Sequence, residues 1–259
     1  MIYIDVNPVA FSIGPAAISW YGIMVALAVI TLVAWALLSV TKDPRLSYNM
    51  VLNGALVGIP SGVIFSRGLH VVDLWDYYSK NPGQIIGGEG LSIWGAVLGA
   101  ALGVWIFSRF SKISFGHVAD VVAPGIILAQ VIGRVGCTLN GCCYGKTTDL
   151  PWAVVYTNPN THGPIGIPVH PTQIYEIIFN LVLFGILFKL KGRFKTDGSL
   201  FLVYLSLYSV WRLVIDFIRD GTPFLFGLHQ AQVISIVVLA ITVPLLTVRI
   251  LHTKKEAAS

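Results

Sequence analysis

The chain is short of charge. Asp, Glu, Lys and Arg together make up 11% of its 259 residues, less than half of the roughly 25% found in an ordinary soluble domain. A water-facing surface cannot be built from so few charged groups. Disorder is excluded by the same numbers, since a disordered chain needs high charge and little apolar content. Cysteine is scarce as well: Cys137, Cys142 and Cys143 are the only three. They cannot all pair, which excludes a disulfide-stapled secreted module. The first fifteen residues, MIYIDVNPVAFSIGP, contain no Lys or Arg and so lack the basic start of a signal peptide. The first apolar stretch is therefore expected to be retained. No period of 20 to 50 residues marks a repeat.

What is abundant is apolar surface, with 55% hydrophobic residues and a mean hydropathy of +0.77. The remaining class is an all-α, polytopic membrane protein, read as one integral membrane domain over residues 1–259. A spanning helix needs about 20 mostly apolar residues. Seven stretches qualify, at approximately 16–40, 48–66, 90–110, 117–136, 172–190, 197–218 and 229–250, with an irregular loop region at 137–171. The second, third and fourth contain Gly54, Gly58, Pro60 and Gly62; Gly95, Gly99 and Gly103; and Pro124 and Gly125. Small residues let helix backbones approach closely in lipid, so these three are expected at the centre of the bundle.

The excess of Lys and Arg, which gives a net charge of +5, would suggest nucleic acid in a soluble protein. Here it is read as topology, and no nucleic-acid partner is expected. Eleven of the seventeen basic residues fall on one side of the seven spans and six on the other. Cytoplasmic loops carry the excess, so the C-terminus is expected in the cytoplasm and the N-terminus outside. Among the outer six, Arg134, Arg212 and Arg67 lie within or at the ends of apolar spans. A cation at the centre of a span costs at least ~2.5 kcal/mol. Snorkelling to headgroups explains one such Arg and several converging less well.

The fourth span runs into Gly133-Arg134-Val135-Gly136-Cys137-Thr138-Leu139-Asn140-Gly141-Cys142-Cys143-Tyr144-Gly145. Its glycines let backbone N–H groups approach an anion, and Arg134 offers a planar fork suited to phosphate oxygens. The sixth span carries Arg212, Asp216 and Arg219 on one helical face. Asp216 reads as the counter-ion of one or both arginines, and one carboxylate cannot neutralise two guanidiniums. The fifth opens with His170-Pro171-Thr172-Gln173-Ile174-Tyr175-Glu176. His170, Gln173 and Glu176 share roughly one face at its outer end, and Asn180, one turn deeper, reads as helix glue. Trp20, Tyr21 and Trp94 also lie at outer ends, where interfacial anchoring is the plain explanation.

The stretch from Gly133 to Gly145 resembles the signature G-R-x-G-x-x-x-N-G-x-x-x-G of the prolipoprotein diacylglyceryl transferases of bacterial inner membranes. Trp20-Tyr21-Gly22, Gly90-Leu91-Ser92 with Gly95 and Gly99, His170 to Glu176, Arg212 with Asp216 to Arg219, and Gln232 support it in the same order. The resemblance implies a seven-span enzyme that moves the diacylglyceryl group of phosphatidylglycerol onto the lipobox cysteine thiol of a prolipoprotein. A thioether forms and glycerol phosphate is released. It also implies that Arg134 and Arg212 are central to activity, with Tyr21, Asn140, Gly145, Glu176 and Asp216 carried over beside them. Two departures stand out: Trp94 occupies the place where many members have a histidine, and Cys142 the place where some have a glutamate.

The chemistry fits this assignment. A thiol of pKa near 8.5 is only a few per cent thiolate at neutral pH, and nearby positive charge both lowers that pKa and stabilises a departing phosphate. Arg134 and Arg212 are accordingly expected to bind donor phosphate and to stabilise charge. Tyr21 and Asp216 stand with them as catalytic candidates, and Asn140, Gly141, Gly145, Trp94, His170, Gln173, Glu176 and Arg219 as substrate-binding ones. No cofactor or metal is expected, because C-x4-C-C matches neither a C-x-x-C redox pair nor a recognised zinc spacing. A thiol oxidoreductase and a transporter or channel for an anion are the competing classes. Against transport, the ionisable groups cluster at one interface and do not line a path.

The charge split predicts that a reporter fused after Lys255 is cytoplasmic, and that a cysteine placed at Asn158 reacts with an impermeant thiol reagent from outside. Labelling only after permeabilisation would reverse the orientation.

Overall fold

Six helices are long and apolar enough to cross a bilayer among the residues that the computed structural model describes, which are 1–14, 16–87 and 90–256. In chain order the elements are β1 (Ile2–Ile4), β2 (Val9–Ile13), β3 (Ala16–Ser19), α1 (Trp20–Val40), α2 (Tyr48–Asp73), α3 (Trp75–Tyr78), α4 (Gln84–Gly87), α5 (Ile93–Phe110), α6 (Phe115–Asn140), β4 (Val154–Tyr156), β5 (Pro168–Val169), α7 (Thr172–Leu190), α8 (Ser199–Ile215) and α9 (Gln230–Glu256). The six are α1, α2, α5, α6, α7 and α9. Helix α8 is apolar but shorter, at 17 residues, or about 26 Å at 1.5 Å per residue. The chain divides into two compact units, Ala36–Val118 and Met1–Trp35 with Ala119–Ser259.

In the unit Ala36–Val118, α2 and α5 lie backbone to backbone. A Cβ added at Gly62 would stand 3.1 Å from the Ala96 carbonyl oxygen, and one at Gly99 2.6 Å from that of Ser61. Ser61 Oγ donates to the Gly99 oxygen at 2.7 Å and Ser66 Oγ to the Ser92 oxygen at 2.8 Å. Glycines every fourth residue on both helices make this approach possible, and serine hydroxyls satisfy themselves across it. Arg67 is engaged nearby. Its guanidinium donates to the carbonyls of Gln84, Ile85 and Gly90 at 2.6, 2.9 and 2.8 Å and lies over the Tyr78 ring.

In the other unit, Ala123 and Ile127 of α6, Leu183 and Leu187 of α7, and Leu200 and Tyr204 of α8 form the buried core. The α6 glycines face α1: Trp35 packs on Gly125 and Met24 on Gly136, and Trp35 Nε1 donates to the Val121 oxygen at 2.9 Å. The small-residue stripes of α2 and α5 match each other, whereas Gly125 and Gly136 on α6 accept two large α1 side chains. Asp120 caps the start of α8, its oxygens accepting from the Gly198 and Phe201 N–H groups at 2.7 Å each.

Two small sheets accompany the helices. Strand β1 pairs in parallel with β4, β4 pairs antiparallel with β5, and β2 and β3 form an antiparallel pair. Residues 16–19, expected to begin the first span, are therefore strand. The helix starts at Trp20, where Ser19 Oγ accepts from the Gly22 N–H at 3.1 Å. The 137–171 region is likewise not irregular throughout. Its first four residues extend α6, and Val154, Tyr156 and Val169 are buried under Ile4, Tyr144 and Ile174.

Gly99→Ala should lower the unfolding midpoint of detergent-solubilised protein, since forcing a methyl into a closed contact costs about 1–3 kcal/mol. Gly68→Ala, on α2 with open space around the added Cβ, should leave it unchanged or raise it, because Ala gains roughly 0.5–1 kcal/mol over Gly in a helix.

Candidate active site

Glu176, four residues into α7 and only 1% exposed, is where three helices meet. Its Oε2 pairs with Nε of Arg134 from α6. Its Oε1 accepts from Nη1 of Arg212 near the end of α8 at 2.9 Å, and from Nη1 of Arg219 just beyond it at 3.1 Å. Asp216, which caps α8, is also buried. Its Oδ1 lies 3.2 Å from Arg212 Nη2 and 3.8 Å from Arg219 Nε, and its Oδ2 lies 3.1 Å from Nδ1 of His229, just ahead of α9. An isolated buried charge is prohibitively costly. Here three guanidiniums face two carboxylates and one positive charge remains. The arginine side chains keep 11–19% of their surface exposed, so that charge is accessible.

The Gly-rich loop is clamped beside this cluster. Gly145 N–H donates to the His170 oxygen at 2.9 Å, Lys146 N–H to the Ile218 oxygen at 2.8 Å, and Thr172 Oγ1 to the Cys143 oxygen at 2.7 Å. A Cβ at Gly145 would fall 2.6 Å from the Ile218 oxygen and 2.7 Å from His170 Cβ. The signature therefore ends on glycine because one backbone carbonyl and two side chains close on it. Gly141 turns the chain at φ +75°, and the Asn140 oxygen accepts from the His162 N–H at 3.2 Å. Gln173 is buried, donating to the Cys142 oxygen at 2.7 Å and the Tyr156 hydroxyl at 3.2 Å. Burial pushes the Tyr156 hydroxyl above the usual phenol range.

Of the residues singled out from the sequence, Arg134, Glu176, Arg212, Asp216 and Arg219 form the ionic cluster. Tyr21 packs against Gly136 on α6, next to Cys137 and two residues from Arg134 in the chain. His170 sits outside α7, its Nδ1 3.5 Å from the Tyr175 hydroxyl, and so does not share the face of Gln173 and Glu176. Trp94 is the second residue of α5, in the unit Ala36–Val118, and is 38% exposed. Sequence reasoning gave Asp216 one or both of Arg212 and Arg219, and it contacts both, but missed that Glu176 collects three arginines. The signal was present, because an acid inside an apolar span must have a cationic partner. His229 was missed altogether.

Prolipoprotein diacylglyceryl transferase is the family that this chain matches, over residues 8–248. A phosphatidylglycerol–prolipoprotein diacylglyceryl transferase of Dehalococcoides mccartyi is 51% identical over 257 residues, covering 99% of this chain and 98% of that protein. The protein of the same name from Clostridioides difficile is 36% identical over 233 residues, covering 88% and 90%. One from Acaryochloris marina is 34% identical over 244 residues, covering 91% and 88%.

Glu176→Gln should destabilise the protein by about 3–5 kcal/mol, the cost of stripping one partner from a buried ionic cluster. Thermal unfolding in detergent and the amount accumulated in membranes measure it. A variant as stable as the parent would mean that solvent, and not Glu176, balances the arginines.

Proposed function

The chain belongs to the prolipoprotein diacylglyceryl transferase family, and we infer that it acts as a phosphatidylglycerol–prolipoprotein diacylglyceryl transferase in lipoprotein maturation. It is a multi-pass membrane enzyme. The observation that carries the mechanism is the single positive charge left over where α6, α7, α8 and α9 bring their ends together. The phosphodiester of phosphatidylglycerol is a monoanion, opposite to it in sign and equal in size. Arg134 and Arg212 bind that phosphate and stabilise the charge gathering on it, Arg212 reaching both carboxylates and Arg134 flanking the Gly-rich loop. Glu176 and Asp216 hold the guanidiniums in place, and Arg219 closes the cluster between them.

The acceptor is the lipobox cysteine of a prolipoprotein. Its thiolate attacks the glycerol carbon bonded to the phosphate oxygen. A carbon–sulfur bond forms, the carbon–oxygen bond breaks, and glycerol phosphate leaves with the electron pair. Asn140, Gly141 and Gly145 shape the loop that faces the substrates, with Tyr21, Gln173 and His170 around it. Trp94 contributes packing against acyl chains, its ring being unable to take a proton.

Helix α8 serves as the sixth of seven crossings, within the accepted range of span lengths, and the membrane is the bacterial inner membrane. The site faces outward. The pairing of β1 with β4 supports this, because it puts the N-terminal strand on the same side as the loop that follows α6.

Arg134→Ala and Arg212→Ala should abolish transfer to a lipobox peptide from phosphatidylglycerol vesicles, read as the diacylglyceryl mass shift, while the protein still accumulates. Lysine should rescue poorly, since it keeps the charge and loses the two-pronged fork. Near-normal transfer by either alanine variant at matched protein level would remove that arginine from the mechanism.

A further inference from the structure

The sulfurs of Cys137, Cys142 and Cys143 all lie within 4.8 Å of one another. Their spacing along the chain matches no zinc motif, yet the end of α6 gathers them. The chain reverses at Gly141, Cys142 N–H donates to the Cys137 oxygen at 3.1 Å, and Cys143 itself sits at φ +63°. That left-handed conformation is uncommon for a residue with a Cβ, and here it keeps the third sulfur with the other two. Three thiolates at about 2.3 Å from one ion stand about 4 Å apart, so small side-chain rotations complete the geometry. Three sulfur donors select a thiophilic ion over Mg(II) or Ca(II).

Charge decides between thiophilic ions. A divalent ion on three thiolates carries a net −1, which the spare positive charge of the neighbouring arginine cluster neutralises. A monovalent ion on the same three would carry −2. We propose that these cysteines form a trithiolate site for a divalent d10 cation of the Zn(II) class, with water in the fourth position. Binding exchanges three thiol protons for the ion. The occupied site uses the charge that the donor phosphate needs, so the ion is an inhibitor of transfer; this last step rests on the function proposed above.

The test uses reduced, detergent-purified protein and Cd(II) as probe. One equivalent should bind with the ultraviolet sulfur-to-cadmium charge-transfer absorbance of three thiolates. It should protect the thiols from Ellman's reagent, and Zn(II) in large excess should compete with it for the site. The variant with Ser at all three positions should show none of this. Should that variant fail to fold, Cys142→Ser alone should lose about a third of the absorbance and at least tenfold in affinity. Zn(II) should slow transfer by the parent, with recovery on chelation. Absorbance no greater than that of the Ser variant, or thiols equally reactive with and without Cd(II), would overturn the site. Binding without inhibition would leave the site standing and overturn the shared use of the arginine charge.

A different observation bears on the thiol proton. His229 Nδ1 is held by Asp216 Oδ2 at 3.1 Å. The side chain is 19% exposed, and its Nε2 is absent from the buried polar atoms that lack a partner. The ring is therefore oriented at one nitrogen and open at the other. Asp216 is shared with Arg212 and Arg219, which in turn meet Glu176 and, through it, Arg134. These are the charged groups around the imidazole. We infer that His229 Nε2 accepts the proton of the incoming cysteine thiol, the role that Trp94 cannot perform, and passes it to solvent after the thiolate has attacked. This too rests on the proposed function.

His229→Asn retains an amide N–H for Asp216 and removes the base. It should reduce kcat about a hundredfold or more at neutral pH and recover as rising pH ionises the substrate thiol unaided. Added imidazole should restore part of the rate in His229→Gly. A His229→Asn variant with a normal rate and an unchanged pH profile would make His229 structural. If neither this variant nor the parent transfers, it is the function that fails.

Discussion

A carboxylate almost wholly withdrawn from solvent, on a helix that crosses a bilayer, persists only if cations come to it, and Glu176 draws three from two other helices. The rest of the site follows from this. Because Arg134, Arg212 and Arg219 are held by a common partner, the ends of α6, α7 and α8 are fixed with respect to one another, and the Gly-rich loop is clamped between the start of α7 and the residues after α8. Preorganised charge of this kind needs no rearrangement when a substrate anion arrives. Two carboxylates for three guanidiniums is the ratio that makes the cluster both stable enough to bury and cationic enough to act.

The two units of the chain are held by different physics. In the unit Ala36–Val118, α2 and α5 rely on close backbone contact and serine-to-carbonyl hydrogen bonds, with Arg67 held by the carbonyls of Gln84, Ile85 and Gly90. In the other, apolar packing of α6, α7 and α8 gives way to ionic contacts toward one end of the helices. Lipid supplies no hydrophobic force between helices, so each unit depends on contacts that lipid cannot imitate.

Much of this was legible in the residues. Apolar length gave the spans, and α7 was bounded at Thr172–Leu190 to the residue because Pro171 precedes it and Lys191 follows. The arginines Arg134 and Arg212 at membrane depth pointed to the ionic cluster, since a cation there demands a partner. What escaped was long-range or very short. Strands of two to five residues have too few positions to show alternation, and β1 finds its partner some 150 residues away. The hub role of Glu176 was hidden because helical periodicity relates residues on one helix and says nothing about neighbours on another. His229 precedes its helix in a stretch with no apolar pattern, so its alignment with Asp216 arises only when α8 and α9 pack together.

The parallel pairing of β1 with β4 bears on how the protein is made. Strand β1 is translated ahead of the edge it pairs with, which follows about 150 residues later, on the order of ten seconds at usual elongation rates. Throughout that interval the intervening helices enter the membrane while the N-terminal strand waits with its backbone groups solvated. The sheet is thus a late closure: it forms only after the chain between its strands has been made, and it joins β1 to the region that follows α6. Pairing of β1 with β4 can therefore begin before the ionic cluster is complete, because Glu176, Arg212 and Arg219 are translated later still.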